Sequence, residues 1–248
     1  MAKGLSIYRK AISALGRLLP QDCAVCGQQS GARALCAACE AVLPLSFPRR
    51  REQTVALCPV CALPTADGAV CGACLRSPPH FDATLAVFNY AFPVEHLVQA
   101  LKYRRHLPLA GWLAETLAET INAREGTQDA DCIVPLPLSP ARIRQRGFNQ
   151  AQEIARPLAR ALNLPLLPDA CHRVRDSAPQ ASLPWKARHA NIRHAFECRV
   201  DFTGQRVAVV DDVMTTGATL NEFARVLKQH GAARVENWVA ARTLPDRG

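Results

Sequence analysis

Residues 207–220 have the sequence VAVVDDVMTTGATL, and this stretch decides the fold. It begins with four apolar residues that predict a buried strand, which ends in the two acids Asp211 and Asp212. A turn of small hydroxyl residues around Gly217 follows, and after it the pattern predicts a helix. A strand, a tight turn and a helix in this order are typical of open α/β sheets, whose ligands bind outside the carboxyl ends of the strands.

The turn between this strand and the helix has the composition of a phosphate site. Thr215, Thr216, Ala218 and Thr219 offer backbone N–H groups, and the threonines add hydroxyl donors. Gly217 lets the backbone approach a ligand closely, and the helix N-terminus adds the positive end of its dipole. The turn is therefore predicted to bind a phosphate group.

The two acids at the end of the strand have a separate chemistry. Paired carboxylates can accept hydrogen bonds from a ribose diol or face a magnesium ion. Helix capping by Asp211 and Asp212 is the simpler alternative. It leaves the threonine-rich turn and the preceding apolar run unexplained.

The rest of the C-terminal part alternates between strand and helix patterns. Strands are predicted at residues 84–90, 132–134, 206–210 and 234–241, and helices at residues 93–102, 109–122, 149–162 and 219–230. This alternation predicts an α/β fold with an open, mostly parallel sheet. Residues 176–189 predict a mobile loop, of the kind that often covers a ligand.

Four CxxC pairs in the N-terminal part form an internal duplication. A shift of 35 residues places the first two pairs on the last two, so that CAVCGQQSGARALCAAC corresponds to CPVCALPTADGAVCGAC. Two CxxC turns together complete a tetrahedral shell of four thiolates around zinc. Each half is too short and too poor in large apolar residues to build its own core, so metal binding must supply much of its folding free energy.

Two structural Zn²⁺ sites are therefore predicted, in preference to iron–sulfur, redox or disulfide roles. Four thiolates leave no open coordination position, which favours a structural over a catalytic role. The self-contained repeats favour sequential ligation, with an interleaved cross-brace as the alternative. The sequential ligand sets are Cys23, Cys26, Cys36 and Cys39 for the first site and Cys58, Cys61, Cys71 and Cys74 for the second. The remaining cysteines, Cys132, Cys171 and Cys198, stand alone and receive no function.

The composition indicates a globular protein with anionic partners. Hydrophobic residues make up 49% and charged residues 21% of the chain, and the formal net charge is +9. Apolar runs all fall short of the roughly 20 residues that span a bilayer. Residues 1–21 interleave basic and apolar side chains, which predicts an amphipathic helix rather than a secretory signal. Eleven cysteines without such a signal predict a reducing, cytoplasmic compartment.

Residues 207–220 resemble the fingerprint of the type I phosphoribosyltransferases. Other motifs are similar, in the same order, to those of the ComF proteins of bacterial DNA uptake and their GntX-like relatives in DNA utilisation. These motifs are the paired cysteine repeats, LKYRRH at residues 101–106, VPLPLSPARIRQRGFNQA at residues 134–151, the stretch at residues 180–191 and AF at residues 195–196. The resemblance covers nearly the whole chain. It implies an N-terminal helix at residues 1–21, a double zinc ribbon at residues 22–80 and a phosphoribosyltransferase-like domain at residues 81–248.

The resemblance also implies ligand roles for the strand end and the turn. In that family the acidic pair holds the ribose hydroxyls and the following loop holds the 5′-phosphate. Carried over, Asp211 and Asp212 would bind ribose, and residues 215–219 would bind the 5′-phosphate of phosphoribosyl pyrophosphate accompanied by Mg²⁺.

A set of basic residues completes the predicted site. Arg142, Arg144 and Arg146 follow the strand at residues 132–134, where this fold places its pyrophosphate loop, and arginine forks suit phosphate oxygens. Their spacing alternates faces, so the three cannot all converge, and a basic surface helix is the alternative. Lys102 and Arg188 occupy motif positions and join the predicted pyrophosphate- and DNA-binding set.

Three functions compete. The first is a ComF-type factor of natural transformation that binds a ribose phosphate and single-stranded DNA, either in the cytoplasm or peripherally at the inner membrane beside DNA-uptake proteins. The second is an active phosphoribosyltransferase of nucleotide salvage, although no segment clearly builds the hood that reads a base and no catalytic residue is identified. The third is a ligand-sensing, DNA-binding regulator. The whole-chain resemblance favours the first.

Overall fold

The computed structural model describes residues 21–46, 56–124, 129–175 and 193–245. The predicted loop at residues 176–189, with Arg188, lies outside these ranges, as does the predicted helix except for residue 21, which belongs to the first strand. Packing divides the chain into two compact units, with the boundary between Leu43 and Pro44.

The smaller unit contains the first cysteine repeat. Strand β1 (Gln21–Asp22) pairs antiparallel with β2 (Gln29–Gly31), and the short helix α1 (Ala37–Ala41) follows. Among residues 21–43, the described part of this unit, the buried apolar side chains are few, and Leu35 and Leu43 are the largest of them. So few buried side chains among these residues agree with the prediction that a bound metal stabilises this repeat.

The second cysteine repeat, with helix α2 (Gly72–Arg76), belongs to the larger unit. Cys58, Cys61 and Cys74 are buried in the same hydrophobic cluster as Met214 and Ala218 of the α/β part. The boundary between the two compact units falls within residues 22–80, the stretch predicted to form the double zinc ribbon.

A four-stranded parallel sheet forms the centre of the larger unit. Its strands are β3 (Ala83–Asn89), β4 (Cys132–Pro135), β7 (Arg206–Met214) and β8 (Arg234–Arg242), in the spatial order β3-β8-β7-β4. These strands are almost continuously buried, as expected for a parallel sheet that is covered on both faces. The predicted α/β fold with a parallel sheet is confirmed.

Strand β7 runs four residues beyond its predicted end at residue 210. The acids there are polar, but backbone pairing with β8 continues to Met214 and Arg242. Backbone hydrogen bonds therefore extend the strand past the point where its apolar pattern stops.

Helices pack around the sheet. They are α3 (Val94–Arg104), α4 (Pro108–Asn122), α5 (Pro140–Arg146), α6 (Gln150–Leu162) and α7 (Ala218–Gln229). Helix α4 buries leucines at a spacing of four residues, and its Trp112 stacks on Phe88 of β3 with ring centroids 5.5 Å apart. Among the helices in the described ranges, none is long and apolar enough to cross a membrane.

A small antiparallel ribbon was not anticipated from the sequence. Strand β5 (Cys171–Arg173) pairs with β6 (Phe196–Cys198), and a disulfide joins Cys171 to Cys198. The expectation that these two cysteines stand alone is therefore wrong, because the ribbon register places them opposite each other.

Candidate functional site

A pocket of about 480 Å³ lies at the carboxyl ends of β4 and β7. Of the residues predicted to bind a ligand, it is lined by Lys102, Arg142, Arg146, Asp211, Asp212, Thr215, Gly217, Ala218 and Thr219. Arg144 and Thr216, both described, are not part of this lining. Neighbouring parallel strands end at the same edge of a sheet, which is why segments far apart in sequence meet here.

The turn between β7 and α7, residues 215–219, is shaped by a glycine. Gly217 is the N-cap residue of α7. Its φ of 80° lies in the left-handed region, which residues other than glycine adopt only with strain. A Cβ at this position would lie 2.6 Å from Cε of Met214. Thr216 Oγ1 accepts a hydrogen bond from Ala218 N at 3.3 Å, so the first turn of α7 is held with its N-terminus at the pocket.

Asp212 is buried and already holds two partners. Its Oδ2 lies 2.9 Å from Nζ of Lys102 on α3 and accepts a hydrogen bond from Nε2 of Gln150 on α6 at 3.3 Å. Burial alone would lower the pKa of Lys102, but the charge and hydrogen bond of Asp212 raise it above its ordinary value. The ion pair with Lys102 therefore compensates the charge of Asp212 inside the pocket.

Asp211 is half-buried, whereas Asp212 is buried, and within the described ranges the carboxylate of Asp211 has no cationic side chain in direct contact. Its Oδ1 accepts a hydrogen bond from the backbone N of Asp212 at 2.8 Å. Burial, followed by the charge of Asp212, raises the pKa of Asp211 to about 7, against the opposing charge of Lys102. A cation or a hydroxyl donor placed beside Asp211 would favour its ionised form.

The short helix α5 presents two of the three predicted arginines to the pocket. Ser139 caps its N-terminus, and Gly147, with a φ of 83°, ends it. Arg142 and Arg146 are four residues apart and share one face of this helix. The Arg146 guanidinium lies 5.3 Å from the ring centroid of Tyr103, and its buried Nε has no hydrogen-bond partner among the described residues.

The structure adds residues to the pocket that sequence reasoning missed. Arg173 on β5 is buried, lies 5.5 Å from the ring centroid of Phe196 and donates from Nε to Arg175 O at 3.2 Å. Gln150 lies in the pocket wall, and its buried Oε1 has no partner within the described part of the chain. Strand β5 has only three residues, too few for a period-two pattern to reveal Arg173.

The cysteines form two separate clusters of four, one for each repeat. The grouping is that of sequential ligation: the thiols of Cys23, Cys26, Cys36 and Cys39 come together, and so do those of Cys58, Cys61, Cys71 and Cys74. Within each cluster all sulfur atoms lie within 4.8 Å of one another, and none of the eight is disulfide-bonded.

The geometry of both clusters fits zinc. A tetrahedral site with Zn–S bonds of about 2.3 Å places neighbouring sulfurs about 3.8 Å apart. The Sγ atoms of Cys26 and Cys36 are 3.8 Å apart, and those of Cys61 and Cys71 are 3.6 Å apart. The backbone N of Cys71 donates to the Cys58 sulfur at 3.3 Å, as expected for a structural thiolate site.

The charge balance of the pocket selects the chemistry of a ligand. Four cationic side chains face two carboxylates in the lining. Lys102 neutralises Asp212, so the three arginines, Arg142, Arg146 and Arg173, leave the pocket with an excess of positive charge. The arrangement suits an anion that also carries hydroxyl groups.

Comparison with known proteins agrees with this architecture. The phosphoribosyl transferase domain profile matches residues 145–246, and the double zinc ribbon domain profile matches residues 14–75. DNA utilization protein YhgH of Salmonella typhimurium is 38% identical over 221 residues, which are 85% of this chain and 97% of that protein. Competence protein F of Haemophilus influenzae is 34% identical over 178 residues, 69% of this chain and 78% of that protein. Competence protein ComFC of Bacillus subtilis is 27% identical over 195 residues, 75% of this chain and 78% of that protein.

Proposed function

Because the chain belongs to the ComF family of competence and DNA-utilisation proteins, we propose that it serves DNA uptake or utilisation by binding phosphoribosyl pyrophosphate, or a related ribose phosphate, in this pocket. The observation that carries the proposal is the turn at residues 215–219, which joins β7 to α7 beside Asp211 and Asp212. Backbone donors at a helix N-terminus suit a 5′-phosphate, and neighbouring carboxylates suit ribose hydroxyls.

The two acids divide the work under this proposal. Asp212, tied to Lys102 and Gln150, offers one remaining oxygen to a ribose hydroxyl. Asp211 has the raised pKa and gains most from a cation, so Mg²⁺ that accompanies the pyrophosphate would lie at its carboxylate. Arg142 and Arg146 bind the pyrophosphate oxygens.

Single-stranded DNA is the second proposed partner, and the surface beside the pocket supports it. Tyr103 is 64% exposed and lines the pocket under the Arg146 guanidinium, a combination on which a base can stack next to its phosphate. The net charge of +9 favours a polyanion. The protein would act in the cytoplasm or at the inner surface of the inner membrane, beside DNA-uptake proteins, with the zinc ribbons contacting DNA or such a partner.

An active phosphoribosyltransferase is the alternative, favoured by the match of that domain profile to residues 145–246. The two functions differ in whether the bound phosphoribosyl pyrophosphate is converted to products. Release of pyrophosphate from phosphoribosyl pyrophosphate in the presence of a nucleobase supports the enzyme, whereas stable binding without release supports the DNA-utilisation factor.

Calorimetry with phosphoribosyl pyrophosphate and MgCl₂ tests the proposal directly. Asp211→Asn should weaken binding about tenfold, because a charged acceptor is lost. Asp129→Asn, on an exposed acid that pairs with Arg206 away from the pocket, is the matched control and should leave affinity unchanged. Equal affinities of the two variants would remove the acidic pair from the site. Chelation of magnesium should weaken binding to wild type and have less effect on Asp211→Asn.

The DNA part has its own test. Fluorescence anisotropy with a labelled single strand should show weaker binding and a shallower salt dependence when Arg142 and Arg146 are both replaced by Met. Phosphoribosyl pyrophosphate should compete with the strand if both use the pocket. A wild-type salt slope in the double variant would exclude this surface from DNA binding.

A further inference from the structure

One buried arginine connects the second cysteine cluster directly to the turn at residues 215–219. Arg242, the last residue of β8, is 4% exposed, and its Nε donates a hydrogen bond to the carbonyl oxygen of Cys61 at 2.9 Å. Its Nη1 donates to the carbonyl oxygen of Met214 at 3.0 Å and to that of Thr215. A single guanidinium thus holds both a cysteine of the cluster and the first residue of the turn.

Two further contacts link the end of the second repeat to the same place. The buried ring of Phe81 comes to 3.8 Å from the point where a Cβ on Gly217 would lie. The backbone N of His80 donates to Oδ1 of Asn221, in the first turn of α7, at 2.6 Å. Both residues follow shortly after Cys74. The second repeat therefore contacts the start of the turn through Arg242, and its later part and the start of α7 through Phe81 and His80.

The charge of the cluster explains why an arginine is buried there. Four thiolates around one Zn²⁺ carry a net charge of about −2, which a neighbouring guanidinium compensates. The planar fork donates from two separate nitrogens, Nε to Cys61 and Nη1 to Met214, whereas a lysine has all three of its donors on one nitrogen. Arg242 is therefore suited to couple the metal site to the backbone of the turn.

We propose that the second zinc site is a positioning element of the pocket: zinc bound there fixes the turn at residues 215–219 through Arg242 and so sets the affinity for a phosphorylated ligand. The ligand part of this inference rests on the proposed function. The inference concerns the second cluster alone, because the first belongs to the other compact unit. Linkage is reciprocal, so phosphoribosyl pyrophosphate must raise the zinc affinity of the second site by the same factor.

The duplicated repeats supply matched variants for the test. Cys58→Ser and Cys23→Ser each remove one ligand from corresponding positions of the two clusters. Hydrogen exchange of a peptide covering residues 213–222 needs no ligand and should accelerate in Cys58→Ser alone. Calorimetry with phosphoribosyl pyrophosphate should show about tenfold weaker binding for Cys58→Ser and a change within about twofold for Cys23→Ser.

Arg242→Lys tests the connection without touching a cysteine, with Arg234→Lys at the exposed start of the same strand as control. Arg242→Lys should retain both zinc ions, yet accelerate exchange of residues 213–222 and weaken binding severalfold. Unchanged exchange and affinity in Arg242→Lys overturn the inference, as does an equal response of Cys23→Ser and Cys58→Ser.

The outcomes also separate this inference from the proposed function. Wild-type protein that fails to bind phosphoribosyl pyrophosphate, but shows the accelerated exchange in Cys58→Ser and Arg242→Lys, retains the positioning role and loses the proposed ligand. If wild-type protein binds phosphoribosyl pyrophosphate and neither Cys58→Ser nor Arg242→Lys changes its affinity, the proposed ligand is retained and the positioning role is lost. If Cys58→Ser does not fold, competition of a chelator for zinc in wild-type protein, with and without phosphoribosyl pyrophosphate, decides the coupling.

Discussion

The two sides of the pocket are built in different ways. The carboxylate side is one continuous stretch, from Asp211 to Thr219, that ends one strand and begins one helix. The cationic side is assembled from separate elements, with Arg142 and Arg146 on α5 and Arg173 on β5. A continuous stretch has its internal geometry set by local backbone structure, and Lys102 and Arg242 hold it from neighbouring elements, whereas the geometry of an assembled side depends on packing throughout. The first is therefore the more rigid side and the second the more easily altered.

The largest expected effect is on the stability of the carboxylate side. Lys102→Met leaves the buried Asp212 charge without its cation and next to Asp211. Removing one partner of a buried ion pair costs about 3 kcal/mol or more, so the midpoint of urea unfolding at pH 8 should fall markedly. The loss should shrink as the pH is lowered and the carboxylates take up protons.

Lys228→Met provides the comparison for this substitution. The ion pair of Lys228 with Asp82 lies at the surface, and its loss should cost less than about 1 kcal/mol. Similar losses in both variants would mean that the carboxylate side is not held by Lys102, and the difference in rigidity between the two sides would have to be abandoned.

Sequence reasoning found the carboxylate side almost completely, because local pattern and local geometry coincide there. Asp211, Asp212 and Gly217 follow one another along the strand end and the turn that line the pocket. The ion pair of Asp212 with Lys102 could not be derived, since it joins two elements that only the folded sheet brings together.

The cationic side was found only in part, for the same reason. The helical spacing of four residues places Arg142 and Arg146 on one face, which the sequence could indicate once α5 was recognised. Arg173 lies on a strand that exists only because β6 pairs with it. The same holds for the second cysteine repeat. Its metal ligands could be predicted from the CxxC spacing, but its packing into the core around Met214 could not.

The next effect in size is the pH dependence that Asp211 adds to the carboxylate side. Its folded-state pKa of about 7 lies above its ordinary value of 3.8, so the folded protein holds a proton that the unfolded chain has released. Stability should therefore decrease as the pH rises from about 4 to about 7 and then level off. Asp211→Asn should flatten this decrease in urea unfolding measured at a series of pH values. A slope that survives in Asp211→Asn assigns the titration to another group.

On the cationic side, Arg146→Met should weaken binding of inorganic pyrophosphate by about tenfold, because a charged hydrogen-bond donor is lost from the pocket. Arg144→Met removes the same charge from the same helix, but from an exposed position outside the lining, and should change affinity by less than about twofold. Calorimetry at one fixed ionic strength separates the two. Equal losses would show that general charge, and not the assembled face of α5, attracts the anion.

The smallest expected effect concerns the ribbon that carries Arg173. Cys171 and Arg173 lie two residues apart on one face of β5. Cys171 is opposite Cys198 and Arg173 is opposite Phe196, so the disulfide and the contact between Arg173 and Phe196 are adjacent cross-strand pairs on that face. Replacing both cysteines by serine removes the disulfide but leaves the contact between the Arg173 guanidinium and the Phe196 ring. Pyrophosphate affinity should fall only about twofold, since one side chain becomes less well ordered. Arg173→Met removes the cation itself and should cost distinctly more. If the double serine variant loses as much affinity as Arg173→Met, the disulfide rather than the packing on Phe196 holds Arg173 in place, and this part of the cationic side is as rigid as the strand end opposite it.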